Sequence, residues 1–283
     1  MVKFYDLNIP RSNDAVAQKH TLKLAQRLGY EVVAISETLK YGDEMKPAAP
    51  PCDLSSEPSG EKLQQLSRIT IVLTDSTRTD ILRRSDVKSY DILAVQPTSE
   101  KTFHMACHDL NIDLITFDLS DRLEFHLKYS NVQNAWKAGK FFEICYAPAI
   151  RDATRRKHIF KAAAGLTDRK GGRNLIISSG ALRPTELRGP YDVANLATLF
   201  GVDENSTKHC VSSYCRALLL KAATRKQTIK SSISVNYMSD IKDEDKWKVR
   251  QSLKESERDG GKREAEEKDE GEDRKGSKKL KAR

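Results

Sequence analysis

LIISSGALRPTELRGPYDVANLATLFGV, residues 175–202, holds a strand, a polar turn and a helix in direct succession. Leu175–Ile177 is a short apolar run bounded by glycines and serines, which predicts a buried strand. The apolar residues of the second half follow helical spacing, and Gly201 predicts a left-handed cap at the end of that helix. The turn between them therefore places Arg183 and Arg188 at the carboxyl end of a strand.

The same alternation of apolar strand and helix-length segment runs through most of the chain. Strands that are apolar throughout and alternate with helices indicate a parallel sheet covered by helices on both faces. Seven such units predict an α/β fold, an irregular TIM-like barrel of about seven parallel strands with outer helices. An open doubly wound sheet is the alternative, but no GxGxxG motif follows the first strand to support a dinucleotide site. The other predicted strands are Phe4–Ile9, Glu31–Ser36, Ile69–Leu73, Ile92–Gln96, Leu114–Leu119 and Phe141–Tyr146.

Two domains are predicted. Residues 1–238 form the barrel, and residues 37–66, rich in proline, serine and glycine, interrupt it as a long mobile loop. Glu204–Lys226 is a predicted helix that packs across the barrel, and Ser231–Tyr237 is either one more strand or a surface segment. Residues 239–283 are nearly all charged or small, so we expect a disordered charged tail with a basic terminus. The other predicted helices are Asp14–Leu28, capped by Ser12 or Asn13, then one beginning near Ser76 within the turn-and-helix segment Thr74–Arg84, and Ser99–Leu110, Gln133–Ala138 and Asp152–Leu166.

The composition describes a charged, intracellular protein. Of 283 residues, 49 are Lys or Arg and 40 are Asp or Glu, so the formal net charge is +9. A basic balance favours a polyanionic partner, although it fits solubility equally well. Five cysteines without CxxC spacing fit a reducing compartment. No signal sequence and no apolar run of membrane-spanning length is visible, so we expect no membrane association.

Metal-dependent catalysis is disfavoured by the residues at the predicted strand ends. Phosphoesterases of the polymerase-and-histidinol-phosphatase type carry an Asp-Leu-His-x-His pattern after their first strand, and their metal ions need such imidazoles. Residues 6–10 read Asp-Leu-Asn-Ile-Pro, so Asn8 and Pro10 stand where the two histidines would be. His104 and His108 are spaced as half a zinc site, but on an outer helix, where two surface histidines are the simpler interpretation. We therefore predict no catalytic residue and no metal ligand.

Basic residues near the strand ends are the better candidates for function. A guanidinium forms paired hydrogen bonds with phosphate and stacks on bases, so these residues are candidate RNA contacts. Solvated surface residues, or salt bridges with Asp152, Glu186 and Asp192, are the alternative. Asp192 and Asn195 are expected to cap their helix and to support the arginine loop. The candidate contacts are Arg151, Arg155, Arg156 and Lys157 after the sixth strand, Arg183 and Arg188 after the seventh on an adjacent loop, and Arg225 and Lys226 on the last helix.

Three segments together resemble one family. SSGALRPTELRGPYDVANL, FYDLNIP and FEICYAPAIRD are similar to the TIM-barrel protein subunit shared by ribonuclease P and RNase MRP, over about Lys3–Ser234. The resemblance implies an irregular barrel and a noncatalytic subunit of the ribonucleoprotein that removes the 5′ leader from precursor tRNA. It also implies that Mg²⁺ acts at the catalytic RNA, that this chain binds no cofactor, and that partners include the ribonuclease P or MRP RNA and a small subunit of the Pop family.

Two other functions remain open from the sequence alone. The tail, in addition, contains a predicted localisation signal. A metal-dependent phosphoesterase or nuclease on the same barrel would have to hold Mg²⁺ with carboxylates alone. A protein-docking scaffold would use the basic residues to bind acidic partners instead of RNA. The basic run at 274–281 is typical of a nuclear localisation signal, so we expect the nucleus and nucleolus. The carboxylates available to the phosphoesterase are Asp6, Glu37, Asp75 and Asp118.

Overall fold

Seven parallel strands form one sheet in sequence order, each paired with the next. β2 and β3 are the longest strands and pair with each other along the whole of β2, whereas β5 has only two residues in the ladder. This arrangement confirms the predicted parallel α/β fold. The strands are β1 Tyr5–Pro10, β2 Val32–Leu39, β3 Gln64–Leu73, β4 Ile92–Pro97, β5 Leu114–Ile115, β6 Phe141–Cys145 and β7 Leu175–Ser178.

The computed structural model describes residues 2–40, 42–43, 48, 51–52, 54, 63–75, 79–119, 121–167, 172–229 and 233–234. The chain divides into two compact units at residue 227. Within the second unit, β8 (Thr228–Ile229) and β9 (Ile233–Ser234) form an antiparallel pair. The rest of the predicted tail lies outside the described residues.

Hydrogen bonds from the segment after β7 bring the two edges of the sheet together. The amide of Gly180 donates to the carbonyl of Asn8, at 2.9 Å, and the amide of Ser179 donates to the carboxylate of Asp6, at 3.0 Å. Since Asn8 and Asp6 belong to β1, these contacts join the last strand's end to the first strand. The sheet is therefore a nearly closed barrel.

Helices follow the strands around the barrel, except between β2 and β3, where the described residues contain no helix. Short 3₁₀ turns at Asp80–Arg83, Pro184–Glu186 and Lys208–Val211 complete the connections. None of the helices among the described residues combines the length and apolar character needed to cross a membrane. The helices are α1 Ala15–Arg27, α2 Ser85–Ser89, α3 Glu100–His108, α4 Tyr129–Lys137, α5 Ala147–Arg151, α6 Ala153–Thr167, α7 Pro190–Leu199, α8 Glu204–Thr207 and α9 Ser213–Gln227.

Helix α9 closes the amino-terminal end of the barrel. Its Cys215 and Leu218 are buried in one cluster with Leu7, Val32 and other inward residues of the strands. The ammonium of Lys221 donates to backbone carbonyls that precede β5 and β6, at 3.1 and 2.9 Å. The predicted packing of this segment across the barrel is confirmed.

Several predicted boundaries were wrong. Glu204–Lys226 is not one helix: Ser212 leaves helical geometry (φ −135°, ψ −89°), so α8, a 3₁₀ turn and α9 succeed one another. The predicted loop 37–66 is shorter at both ends than expected. Glu37–Leu39 are part of β2 and Gln64–Leu66 are part of β3, and both segments are paired in the sheet although most of their side chains are polar. Most of its interior lies outside the described residues.

Two further errors have local causes. The fifth strand stops after Ile115, because the apolar residues that follow it pack into the core as an irregular segment; Phe117, for example, stacks on Phe142. Helix α1 is capped by Asp14, whose carboxylate accepts from the amide of Val16 at 2.9 Å. Ser12 instead hydrogen-bonds to the amide of Asp14.

Candidate functional site

The segments after β6 and β7 meet at the carboxyl end of the barrel. Arg151, at the end of α5, donates from Nη2 to the carbonyl of Gly180, at 3.1 Å, and its Nε lies 3.1 Å from the carboxylate of Glu186. The two groups of basic residues predicted on adjacent loops therefore do share one rim. We call the exposed surface formed by residues 151–157 and 180–188 the basic rim.

Glu186 organises the loop that carries Arg183. Its Oε2 accepts from the backbone amides of Leu182 and Arg183, at 2.8 and 3.4 Å, while its other oxygen faces Arg151. The side chain is only 8% exposed. Sequence reasoning treated Glu186 only as a possible salt-bridge partner. Its position three residues after Arg183, at the end of the Pro-Thr-Glu turn, was the available signal for this role in the loop.

Two tyrosines hold the same loop from below. The hydroxyl of Tyr30 donates to the carbonyl of Arg188, at 2.9 Å, and the hydroxyl of Tyr146 accepts from the amide of Arg188, at 3.0 Å. Both rings are buried, and burial raises the pKa of each hydroxyl. The loop is thus fixed at both ends of its 3₁₀ turn.

Within the rim, the basic side chains fall into two groups. Arg156 donates to the carbonyl of Ala149, and Arg188 donates to the carbonyls of Thr185 and Leu187, so these guanidinium groups are partly satisfied by backbone. Across the described part of the chain, three others form no ion pair. Those three are Arg155, Lys157 and Arg183, of which the last two are exposed and the first is half-buried.

The carboxylate of Asp152 binds backbone amides at the start of α6. Its carboxylate accepts from the amides of Thr154 and Arg155, at 2.6 and 3.0 Å, and these backbone hydrogen bonds lower its pKa. Among the salt-bridge partners that the sequence offered to the rim arginines, only Glu186 forms such a contact with described residues.

Asp192 and Asn195 have a smaller role than predicted. Asp192 lies in the first turn of α7, where a negative charge complements the helix dipole, but the cap residue is Gly189 and no side chain caps this helix. Both side chains are exposed and neither forms a hydrogen bond with the described residues. The hydrogen bonds that support the loop come from Glu186, Tyr30 and Tyr146 instead.

Arg225 and Lys226 lie at the opposite end of the barrel from the rim. The guanidinium of Arg225 pairs with the buried carboxylate of Asp113 at 2.9 Å, and Lys226 pairs with Asp91 at 2.8 Å. Asp91 and Asp113 directly precede β4 and β5, so these pairs attach α9 to the amino-terminal ends of the strands. The structure thus gives Arg225 a structural partner and separates both residues from the rim.

The carboxylates considered for metal binding do not form a cluster. Asp6 is buried, and burial raises its pKa to about 6 although hydrogen bonds from Ser179 and Asn8 oppose the rise. Glu37 lies 3.4 Å from the guanidinium of Arg11, and Asp75 and Asp118 are exposed. Over the part of the chain that the structure describes, no three His, Cys, Asp or Glu side chains are grouped as metal ligands.

The two histidines of α3 form a stacked pair. The rings of His104 and His108 are 4.1 Å apart and nearly parallel, and both residues are exposed. A ring nitrogen of His108 lies 3.2 Å from the amide of Asn134 on α4. This is the surface arrangement that the sequence favoured over half a zinc site.

A small polar cavity opens at the carboxyl end of the barrel, inside the rim. Its volume is about 160 Å³. Arg68 and Glu143 lie beneath it as a fully buried ion pair with two hydrogen bonds, the second at 2.6 Å. Burial by itself would raise the pKa of Glu143, but the charge of Arg68 and the hydrogen bonds to the carboxylate together outweigh burial and lower that pKa. Neither residue was singled out from the sequence, because Arg68 lies just before the predicted third strand and Glu143 is a single charged residue within an otherwise apolar run.

Fold and site together define a TIM-like barrel whose rim carries exposed arginine and lysine beside a small polar cavity. The sequence comparisons define it further. The chain belongs to the ribonuclease P subunit p30 family, whose model matches residues 3–227.

Similar proteins come from distant organisms. Ribonuclease P protein subunit p30 of Mus musculus is 39% identical over 236 residues, which cover 80% of this chain and 88% of the mouse protein. Ribonuclease P/MRP protein subunit RPP1 of Saccharomyces cerevisiae is 27% identical, covering 81% and 83%. A chain in the cryo-EM structure of archaeal ribonuclease P with mature tRNA matches the fold with a TM-score of 0.59 at 16% identity, covering 84% of this chain and all of that one.

Proposed function

We propose that this chain is a noncatalytic protein subunit of the ribonuclease P ribonucleoprotein and of RNase MRP. It supports removal of the 5′ leader from precursor tRNA, and in the MRP complex it supports processing of ribosomal RNA. Membership of the p30 family and similarity to a protein named as a ribonuclease P/MRP subunit support the assignment to these complexes. The RNA carries the hydrolysis with its own Mg²⁺, and this chain contributes no catalytic residue and no cofactor.

The observation that carries RNA binding is the fixed positive charge of the rim, exposed at Lys157 and Arg183 and half-buried at Arg155. Glu186 holds the backbone of Arg183 in place, and Arg155 and Lys157 start the helix beside it. None of these three cations is neutralised by an ion pair with described residues, so each is available to a phosphate oxygen. Preordered cations lose less side-chain freedom on binding, which favours a defined docking geometry over diffuse attraction.

The other partners follow from the same complex. The RNA and precursor tRNA meet the rim, while a small Pop-family subunit and other ribonuclease P proteins occupy further surfaces. The basic run at residues 274–281, outside the described residues, directs the protein to the nucleus and nucleolus. Deleting residues after Ser239 is expected to reduce nuclear accumulation without changing the melting temperature of the barrel.

The salt dependence of RNA binding tests the rim directly. In a triple variant, Arg155, Lys157 and Arg183 are replaced by alanine. Its control removes the same charge at the other end of the barrel, by replacing the exposed Lys88, Lys137 and Arg216. The slope of log affinity against log salt should flatten by roughly 0.7 to 0.9 per lost phosphate contact in the rim variant only. Equal slopes for the two variants would contradict RNA binding by the rim.

Cleavage of precursor tRNA tests the noncatalytic assignment. The tagged protein is purified gently from its own cells and assayed with and without digestion of its bound RNA, beside the recombinant chain alone. Activity should disappear on digestion, and the recombinant chain with Mg²⁺ should have none. Activity of the recombinant chain would instead direct attention to Asp6 and the other strand-end carboxylates.

A further inference from the structure

The cavity inside the rim has the size of one aromatic ring. We define it as the barrel mouth; its volume is about 160 Å³. A cavity of about 150 Å³ in another protein accommodates benzene, so the barrel mouth can hold one six-membered ring but not a fused double ring. The residues that line it include Asn8, Thr38, Gln96, Phe117, Pro148 and Gly180.

The charges at its floor are already compensated. Arg68 donates to both oxygens of Glu143, to the carbonyl of Leu7 and to the hydroxyl of Thr70, so its charge is balanced by Glu143 and most of its N–H donors are already used. The amide nitrogen of Asn8 donates to Glu143, at 3.3 Å, and to the sulfur of Cys145, at 3.2 Å. A neutral ligand therefore fits this floor better than a phosphate or a metal ion.

Uncompensated hydrogen-bonding groups surround the opening. The side-chain oxygen Oδ1 of Asn8, the side-chain amide of Gln96 and the hydroxyl of Thr38 make no hydrogen bonds with the described residues, while Phe117 and Pro148 supply apolar wall. A planar ring with donors and acceptors on its edge, between apolar faces, matches this set. Unpaired nucleobases have these properties, and proteins read them by stacking and edge hydrogen bonds.

The barrel mouth is continuous with the basic rim. Gly180 and Pro148 line the cavity, and Arg151, on the same helix as Pro148, donates to the carbonyl of Gly180. A nucleotide whose base entered the cavity would hold its phosphate near this edge, where the rim supplies the positive charge.

We propose that the barrel mouth binds the base of one unpaired pyrimidine nucleotide of RNA, while the basic rim binds the flanking phosphates. This inference rests on the proposed RNA-binding function. It adds a base preference to a surface that would otherwise recognise only the backbone. The same ring chemistry occurs in free pyrimidine nucleotides, so the test separates the two sources.

Binding of short RNAs to the full chain tests the proposal. The probes are fluorescent hexamers of uridine and of adenosine, and uridine 5′-monophosphate. Gln96→Trp fills the cavity, and Gln64→Trp places the same side chain at the amino-terminal end of β3 as the control. Thr38→Trp, at an exposed position, is a second blocking variant in case Gln96→Trp unfolds.

The wild-type chain should prefer the uridine hexamer, and blocking should weaken that binding by roughly tenfold without changing the salt slope. The control variant should bind as the wild type does. Equal binding of both hexamers, or unaltered binding by a folded blocking variant, would overturn the base site while leaving the rim's salt-dependent binding intact. If uridine 5′-monophosphate bound as tightly as the hexamer, a free nucleotide would be the ligand and the RNA assignment would fail.

Discussion

Two arginine–glutamate pairs, one inside the barrel and one on its rim, use the same chemistry for different purposes. Arg68 and Glu143 are 0% exposed, whereas Arg151 and Glu186 are 27% and 8% exposed. Both pairs connect segments that are distant in the sequence. The inner pair joins β3 to β6 across the barrel, and the outer pair joins α5 to the loop after β7.

The difference in burial determines what each pair can do. Two charges that are buried both lose their hydration, and only their attraction to each other compensates for that loss. Removing one partner therefore leaves the other as an uncompensated buried charge. A pair that solvent reaches on one side, as the outer pair is at Arg151, is partly screened and contributes less by attraction alone. The outer pair matters because Glu186 also fixes backbone amides beside an exposed arginine. The inner pair therefore affects mainly the stability of the fold, whereas the outer pair affects mainly the shape of a binding surface.

The largest expected effect is at the inner pair. Glu143→Leu leaves the Arg68 guanidinium buried without its partner, which should reduce the free energy of unfolding by roughly 3 to 5 kcal/mol. Replacing both residues, as Arg68→Met with Glu143→Leu, should recover most of that loss because no charge remains buried. Denaturant unfolding measures both variants. Equal destabilisation of the single and double variants would show that packing, not charge, dominates there.

The buried carboxyl of Asp6 should give the next largest effect, as a dependence on pH. Its pKa is about 6 in the folded chain and 3.8 for an ordinary aspartate, so the folded state holds its proton more tightly. Ionisation of Asp6 should therefore lower the free energy of unfolding as pH rises from about 4 to 6, by up to about 3 kcal/mol.

Subtracting the pH profile of Asp6→Asn from that of the wild type isolates this contribution, because Glu143, whose pKa is lowered, titrates in both proteins. The same subtraction for Asp109→Asn, at an exposed position, serves as the control. Parallel pH profiles for the wild type and Asp6→Asn would contradict the raised pKa of Asp6.

A smaller effect is expected at the outer pair. Glu186→Gln keeps the shape of the side chain but removes the charge opposite Arg151, so stability should fall by about 1 to 2 kcal/mol. Hydrogen exchange at the amides of Leu182 and Arg183 should accelerate, and RNA affinity should fall with it. The exposed Glu204→Gln should change none of these. Unchanged exchange in Glu186→Gln would mean that the two tyrosines suffice to hold the loop.

The smallest effect on stability is expected for the rim itself. Arg183→Ala removes an exposed side chain without an ion pair to described residues, so the free energy of unfolding should change by less than about 0.5 kcal/mol. Its effect should appear only in RNA binding, as a salt slope flatter by about one phosphate contact. Arg225→Ala is the informative contrast, because the pair with buried Asp113 predicts lost stability instead. If Arg183→Ala lost as much stability as Arg225→Ala, the basic rim would not differ in its structural role from the amino-terminal end of the barrel.

The sequence was most informative where burial dictates residue type. Apolar runs such as Leu175–Ile177 must be buried on both faces, which identifies parallel strands and their order along the chain. Sequence patterns were less informative at boundaries. Thr38 pairs in β2 although its surroundings suggest a loop, and the segment after Ile115 is apolar although it leaves the ladder, because pairing and core packing are decided by distant residues.

By itself, the sequence determined the parallel barrel, its family and the groups of basic residues after the sixth and seventh strands. Only the tertiary structure decided which of these cations are available. It tied Arg225 to Asp113 at the far end, set Glu186 between Arg151 and the loop of Arg183, and buried Arg68 against Glu143 beneath the barrel mouth. The physical reason is that residue type fixes a charge, whereas the availability of that charge depends on burial and on partners contributed by distant parts of the chain.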